Sequence, residues 1–230
     1  MKLSKTILAV VATGLLSCGL FSQQAQATTM QLTLDYGSRH YGDGGEFDAS
    51  SPDFAPATMG YKPATTYNGG FETFCVQTNE YFNPGSTYYY GISQGSISGG
   101  SFDPLTLGTA WLYLNFAHGT LLGYNYSFGG AGNASAGALQ STIWWLQGQG
   151  ANPHNAFSTL VTHNVANYMA ANNGHYGVAV LNLWGDINHT QVAQNQLILL
   201  PSRVPDSGST VMLLGTALGV LGMASRYLKS

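Results

Sequence analysis

The chain has 230 residues, of which 7% are charged, and its formal net charge is −3 at neutral pH. A nucleic-acid-binding protein needs clustered Lys and Arg to displace counterions from phosphates, whereas residues 28–203 hold nine acidic side chains and three basic ones. That class is excluded, and we expect no nucleic-acid partner. Scarce charge, 30 glycines and 12% aromatic residues instead indicate an extracellular, strand-rich domain with long turns.

The N-terminal residues have the pattern of a secretion signal. Two lysines precede an apolar segment at 7–21, and residues 25–27 (Ala-Gln-Ala) have the small-x-small pattern of a cleavage site. We expect the whole signal, residues 1–27, to be removed on export. Two alternatives stay open: a membrane anchor that is retained, and a lipoprotein signal in which Cys18 carries the lipid.

At the C-terminal end, a short motif is followed by an apolar segment and basic residues. The motif at 204–208 contains a Pro-Asp-Ser-Gly cluster, which is typical of a turn in an accessible linker. The apolar segment 211–224 is shorter than the roughly 20 residues that cross a bilayer comfortably. Arg226 and Lys229 follow it and would hold its end on the cytoplasmic side. The motif residues are Val204, Pro205, Asp206, Ser207 and Gly208.

This arrangement resembles the PEP-CTERM class of sorting tails, in its VPDSG variant, over residues 204–230. The resemblance implies recognition by an exosortase, a membrane enzyme of bacteria that make extracellular polysaccharide. It also implies an exported protein that is held in the inner membrane through 211–224 before processing and then reaches the cell surface or the extracellular matrix. An ordinary C-terminal membrane anchor is the alternative.

Between the two ends, the hydrophobic patterns predict strands on both sides of a helical region. Alternating apolar residues predict strands, and apolar residues at helical spacing predict helices. Asp103 is expected to cap the first helix, with Pro104 at its first position and Gly119 at its end. The segments 37–70 and 95–101 are expected to be a long loop, with room for one short strand, and a flexible turn. The predicted strands are 28–36, 71–78, 87–92, 178–184 and 191–200, and the other predicted helices run over 135–149 and from 152 to about 172–174.

These elements predict an α+β fold, a β-sandwich or barrel that carries a three-helix insertion. It forms one domain, residues 28–203, between the signal peptide at 1–27 and the sorting segment at 204–230. If the signal is removed, Cys75 is the only thiol left in the exported protein. A lone cysteine in an exported chain indicates either intermolecular pairing or a reactive thiol.

Three short blocks in this domain point to a third use for that thiol. They are 74–76 (Phe-Cys-Val), 139–144 (Leu-Gln-Ser-Thr-Ile-Trp) and 193–197 (Ala-Gln-Asn-Gln-Leu). Their order and spacing resemble the thioester domains of bacterial surface adhesins. Those domains carry an aromatic-Cys block, a Thr-Gln-x-Ala-apolar-Trp block and an apolar-Gln-x-x-apolar block. The middle block departs from that pattern at Leu139 and Thr142.

The resemblance implies that Cys75 is joined to Gln194 through a thioester, with Gln140 as a nearby hydrogen-bonding helper. Gln196, and Gln140 itself, stay open as other partners for the bond. The target would be an unknown surface or matrix molecule that offers an amine or another nucleophile. The protein would then act once per molecule and would not be an enzyme. The supporting side chains are Phe74 and Trp144.

The chemistry can be argued without the resemblance. A thiolate that attacks a side-chain amide releases ammonia and leaves a thioester, whose acyl group is transferred far more easily than that of the amide. Strand alternation places Gln194 and Gln196 on one face of their strand. If the strand of Cys75 is its neighbour, opposed side chains lie about 5 Å apart. Nearby aromatic side chains would then shield the bond from water.

Two other interpretations of Cys75 stay open. It is an inert, buried hydrophobic residue in a non-reactive structural or binding protein of the exopolysaccharide layer, or it is the nucleophile of a hydrolase. A hydrolase needs a base within hydrogen-bond reach, for which His118 and His163 are the candidates. The remaining histidines show no regular metal-ligand spacing, and we expect no metal or cofactor.

Overall fold

Nine β-strands are present in the computed structural model, which describes residues 30–42, 44–98 and 100–201. They are β1 (Gln31–Tyr41), β2 (Gly44–Ser50), β3 (Thr66–Tyr67), β4 (Gly70–Thr73), β5 (Ser86–Ser93), β6 (Gly95–Ser98), β7 (Ser101–Pro104), β8 (Val178–Trp184) and β9 (Val192–Leu199). Seven of them form an antiparallel sheet in the order β3, β4, β2, β1, β5, β8, β9. The predicted signal and sorting segments lie outside the described residues.

The helices of the described residues include three that follow one another between β7 and β8. They are α2 (Leu107–Ala117), α3 (Gly130–Leu146) and α4 (Ala156–Asn164), and a single-turn helix, α1 (Pro56–Met59), precedes them. The fold therefore combines a large antiparallel sheet with a few helices, which agrees with the predicted α+β class.

The helix boundaries differ from the predicted ones. The first predicted start is wrong, because Asp103 and Pro104 belong to β7 and the side chain of Thr106 caps α2 by accepting from Thr109 N. Asn155 caps α4 by accepting from two backbone N–H groups. This helix therefore begins at Ala156, later than the predicted residue 152, and ends at Asn164, before the predicted end at 172–174.

The predicted loop over 37–70 is wrong in large part. Strand β1 continues to Tyr41, and β2 is buried along almost its whole length. The predicted turn over 95–101 is also wrong, because β6 and β7 pair there as a hairpin. That hairpin is tied to the main sheet by Asn182, whose Oδ1 accepts from Ile97 N at 2.6 Å. Short, glycine- and serine-rich strands lack the alternation from which strands are predicted.

The two ends of the sheet are joined at the residues that follow β4. Val76 N donates to Asn195 O and Leu197 N donates to Phe74 O, both at 3.1 Å, so that Cys75 lies opposite Gln196. Strand β9 is last in the strand order and β4 is second from the other end. This pairing therefore closes the curled sheet upon itself.

Helix α3 packs on the β1–β2 hairpin at very short range. A Cβ atom at Gly137 would lie 2.5 Å from the ring of Tyr41, and one at Gly44 would lie 2.8 Å from Cγ of Gln140 and 3.0 Å from the ring of Trp144. Glycine is needed at both contact points because no larger residue leaves room for the opposing side chain. The close approach lets short side chains of α3 reach the sheet.

A buried charged cluster lies on the strands that were expected to be a loop. Arg39, only 1% exposed, donates through Nε to Glu46 Oε1 at 2.6 Å and through its two terminal nitrogens to backbone carbonyls at 2.8 and 3.1 Å. Tyr124 also donates to Glu46. Burial, reinforced by the negative charge of Glu72, raises the pKa of Glu46 to about 8, against the opposing effect of Arg39.

Asp48 faces two other acidic residues across the sheet. It pairs with Asp35 on β1 and with Glu72 on β4, and its Oδ1 is buried without a hydrogen-bond partner among the described residues. Burial, together with the charges of Glu72 and Asp35, raises the pKa of Asp48 to about 7. The folded protein therefore binds a proton at Asp48 more tightly than the unfolded chain does.

Asp48→Asn is expected to reduce the pH dependence of stability. The stabilisation from protonated Asp48 is complete below the ordinary pKa of about 4 and is lost as the pH rises through about 7. Urea denaturation at about pH 4 and pH 8 should show that the unfolding free energy of the unmodified protein falls with pH by about 2 kcal/mol more than that of the variant. Asp53→Asn, at an exposed site, is the control. Equal falls in the unmodified protein and the Asp48 variant would contradict the raised pKa.

Candidate functional site at Cys75

Cys75 lies at the junction that closes the sheet and is fully buried. Its neighbour Phe74 is also fully buried and packs edge-on against Phe116, with ring centroids 4.9 Å apart. The hydroxyl of Thr73 donates to Leu197 O at 2.6 Å, which adds a further link to β9. The thiol is therefore held on a backbone segment that is tied to β9, and it is separated from bulk water.

The carboxamide of Gln140 is bound to Cys75 at three atoms. Its Oε1 accepts from Cys75 N and from the Cys75 thiol, each at 3.3 Å, and its Nε2 donates to Cys75 O at 2.8 Å. Pairing between β4 and β2 ends at Thr73, so the main chain of Cys75 has no strand partner on that side. A glutamine side chain from α3 takes the place of the missing strand.

Gln196 faces Cys75 from β9. The backbone hydrogen bonds on either side of this pair show that it is the non-hydrogen-bonded type, in which opposed Cα atoms approach to about 4.5 Å. Gln196 is fully buried, and its Nε2 donates to Gln194 O at 3.3 Å. Its Oε1 is buried and accepts no hydrogen bond among the described residues.

Gln194 lies two residues along β9 and has different partners. Its Nε2 donates to Gln77 O at 3.3 Å, and its N donates to Tyr81 O at 3.2 Å. It therefore shares a face of β9 with Gln196 but is not the residue opposite Cys75. The structure brings Gln140 and Gln196 to Cys75 and leaves Gln194 at the edge of the site.

Burial of the site disfavours the thiolate form of Cys75. Burial raises the pKa of Cys75 to about 12. The indole N–H of Trp144 faces the sulfur and opposes this rise, although its geometry falls short of a regular hydrogen bond. Cys75 is thus a neutral thiol at neutral pH, whereas cysteine hydrolases use a thiolate with a nearby base.

The candidate bases for a hydrolase lie elsewhere. His118 borders a different cavity, next to Gly60 and Leu199, and His163 is on the exposed surface of α4. The hydrogen-bonding partner of the thiol is Gln140. Among the described residues, no cluster of three or more His, Cys, Asp or Glu side chains could hold a metal ion.

A cleft of about 430 Å³ opens next to the site. Gln140 and Trp144 form its floor, the exposed rings of Tyr41 and Tyr81 stand at its rim, and Gln194 lies at one side. Cys75 itself is not exposed in the cleft. The side chains that contact the thiol thus separate it from the solvent-filled space.

Sequence reasoning did not single out the polar side chains that support β9. Asn195 Nδ2 donates to Gln77 Oε1 at 2.8 Å, and Asn195 Oδ1 accepts from Leu183 N at 2.9 Å. Both side chains are buried, and they fix the strand that carries Gln196. The only sequence signal was the position of Asn195 inside the third block.

Gln140→Met should weaken the fold because it leaves the N–H and C=O of Cys75 without partners. Methionine keeps the length and shape of the side chain, so the change isolates the hydrogen bonds. Each unpaired buried group costs about 1–3 kcal/mol, and we expect a loss of about 3 kcal/mol in the unfolding free energy from urea denaturation. Gln149→Met, at a partly exposed site beyond the end of α3 where the side chain, among the described residues, accepts only from the Thr78 hydroxyl, is the matched control. A loss no larger than that of the control would show that the three contacts contribute little.

One comparison with known proteins gives a match. The model of the family described as the VPDSG-CTERM motif matches residues 203–228. No curated protein and no solved structure matches the chain. Among the described residues, no helix is both long enough and apolar enough to cross a membrane, and the apolar segment 211–224 lies outside them. The chain carries a PEP-CTERM-type sorting signal at its C-terminal end and is an exported protein, sorted through that tail by way of a membrane-anchored intermediate.

Proposed function

We propose that this exported protein reaches the cell surface or the extracellular matrix and forms an internal thioester between Cys75 and Gln196, through which it attaches covalently to a partner. The observation that carries the proposal is the close Cys75–Gln196 pair, in which Gln196 Oε1 is buried and unpartnered among the described residues. A buried carboxamide oxygen without a donor costs free energy. A thioester carbonyl is a weaker acceptor than the carboxamide it replaces, so it reduces that cost.

Two acyl-transfer steps make up the proposed chemistry. In the first, the sulfur of Cys75 bonds to Cδ of Gln196, the C–N bond breaks, and the amide nitrogen leaves as ammonia with the proton of the thiol. In the second, a nucleophile on the partner bonds to the same carbon, the C–S bond breaks, and Cys75 becomes a thiol again. The bond to the partner is retained, so each molecule reacts once.

The three candidate glutamines have different contacts, and these contacts support a different role for each side chain. Gln140 is hydrogen-bonded to the main chain of Cys75 through both its side-chain oxygen and its side-chain nitrogen, as expected for a side chain that positions the cysteine. Gln194 is committed to Gln77. Gln196 faces the sulfur across the strand pair, and we assign it as the acyl donor.

Burial has opposite consequences for the thiol and for the bond it would form. A raised pKa disfavours the thiolate, and the Trp144 N–H reduces this penalty. The thioester carries no charge, so burial does not penalise it. Trp144 lies between the thiol and the cleft and shields the bond from water, which would otherwise hydrolyse it.

A second candidate function is a non-reactive structural or binding protein of the exopolysaccharide layer with the same sorting tail. The complete burial of Cys75 and its neutral thiol favour it, since buried cysteine often serves as a small hydrophobic residue. The two functions differ in the covalent state of one side-chain pair, which mass measurement detects directly.

The intact mass of the purified full chain should be lower than the sequence mass, after allowance for the signal peptide and tail, by one ammonia. The missing ammonia is the leaving group of the proposed first step. Mild treatment with methylamine should then add one methylamine, and peptide mapping should place it on Gln196.

Matched variants identify the residues involved. Cys75→Ser and Gln196→Met should abolish the loss of ammonia, whereas Gln194→Met should leave it unchanged. A full-mass protein whose Cys75 is alkylated completely on unfolding would favour the non-reactive function. If the loss of ammonia is absent in Gln194→Met but still present in Gln196→Met, the acyl donor is Gln194.

For the tail, we propose that an exosortase cleaves the chain at or near the 204–208 motif. A variant with Pro205, Asp206 and Gly208 all changed to Ala should remain in the membrane fraction of the native host at full length. Immunoblots of cell fractions compare it with the unmodified chain and with a host that lacks the exosortase. Normal release of the variant would show that the motif is not what the enzyme recognises.

A further inference from the structure

The cleft beside Cys75 has an uncharged lining, which bears on the molecule that would react with the thioester. Its lining residues are aromatic, amide, hydroxyl or glycine residues, and none of those the structure describes there is Asp, Glu, Lys, Arg or His. From this lining we propose that the nucleophile is a hydroxyl group of a neutral glycan, and that the product is an ester. This inference rests on the thioester function proposed above.

The rim of the cleft offers flat surfaces suited to sugar rings. Tyr41 and Tyr81 are 58% and 75% exposed, and the ring of Tyr41 lies against Gly137. Aromatic side chains present an apolar face with a polar tip, which matches the apolar faces and peripheral hydroxyls of a sugar. Gln194, Thr78 and Ser141 add donors and acceptors around them.

The cleft adjoins a second hollow, and the two together offer room for more than one sugar. Tyr81, Gln194 and Gly42 border a second hollow of about 100 Å³, whose other lining residues include Tyr36 and Phe82. His40 lies on the wall of this second hollow. The aromatic lining thus continues along the surface, as expected for a site that holds a chain of sugar units.

A lysine side chain gains little from such a lining. Its ammonium group is strongly hydrated, and only about one in 10³ lysine side chains is unprotonated at neutral pH. The described cleft residues supply no carboxylate to attract it or to take up its proton. A neutral hydroxyl loses no charge solvation when it enters, and the cleft holds it next to Gln140 and Trp144, the side chains that cover Cys75.

The transfer step balances without a further reagent. The hydroxyl oxygen of the glycan bonds to Cδ of Gln196, the bond from that carbon to the sulfur of Cys75 breaks, and the hydroxyl proton passes to the sulfur. The products are a side-chain ester and a free thiol. Gln140, whose Oε1 accepts from that thiol, is placed to receive its hydrogen bond again.

The test presents a sugar and an amine to the full chain together. The intact mass of the purified protein is first measured to detect the loss of ammonia. The protein is then incubated with isomaltotriose and Nα-acetyl-lysine at equal concentrations. We expect the trisaccharide adduct to accumulate about tenfold faster than the lysine adduct, equivalent to about 1.4 kcal/mol. Hydroxylamine should remove it, because esters are cleaved under conditions that leave amides intact.

Variants at the rim test whether the cleft causes the preference. Tyr81→Ala and Tyr41→Ala should each slow sugar addition by about tenfold per thioester-bearing molecule. Tyr67→Ala, at a partly exposed tyrosine on β3, should not change it. Asp43, which lies between two cleft residues but outside the described ones, is tested by Asp43→Asn, and we expect the same preference for the sugar.

The outcomes separate the two proposals. Absence of the ammonia loss in the untreated protein removes the thioester and this inference with it. A normal ammonia loss followed by a dominant lysine adduct overturns the glycan inference alone. So does a sugar rate that is unaffected in both tyrosine variants, or a preference that reverses in Asp43→Asn.

Discussion

The contact between Gln140 and Cys75 is the constraint on which the site depends. Where β4 separates from β2, the backbone of Cys75 must find other partners, because a buried N–H and C=O are costly if unpaired. The carboxamide of Gln140 supplies both in one group. The same contact ties α3 to the place where the sheet closes on β9. The geometry around the sulfur therefore follows from the way in which the backbone N–H and C=O at the end of a strand find hydrogen-bond partners.

That contact is possible because two glycines let α3 pack closely on the β1–β2 hairpin. Glycine at position 137 leaves room for the ring of Tyr41, and glycine at position 44 leaves room for Gln140 and Trp144. With larger residues the helix would move outward, and a side chain as short as glutamine would no longer span the gap. The same packing brings Tyr41, Gly44, Gly137, Gln140 and Trp144 together in the lining of the cleft. The site and its entrance thus have a common structural cause.

Much of the sheet was predictable, whereas its charged and glycine-rich parts were not. Strands β5, β8 and β9 lie within one residue of their predicted bounds. Strand β2 carries Glu46 and Asp48, which are buried. Glu46 is paired with Arg39 and burial raises the pKa of Asp48, so a sequence pattern typical of a loop belongs to a buried strand. The sequence could name Cys75 and Gln140 as candidates. It could not tell which of Gln194 and Gln196 lies opposite Cys75, because both lie on one face of β9 and only the pairing register distinguishes them.

Complete burial of Cys75 also constrains when a thioester forms. In the folded protein the thiol is neutral, with a pKa raised to about 12, and attack on an amide requires the thiolate. Closure of the sheet brings the sulfur and Gln196 together, but it also removes the water that would accept the thiol proton. Under the proposed thioester function, both requirements would be met only while the strands are paired and the cover over Cys75 is still open. The bond would then form in the last stage of folding, and the same cover would keep water from the acyl carbon until a partner arrives.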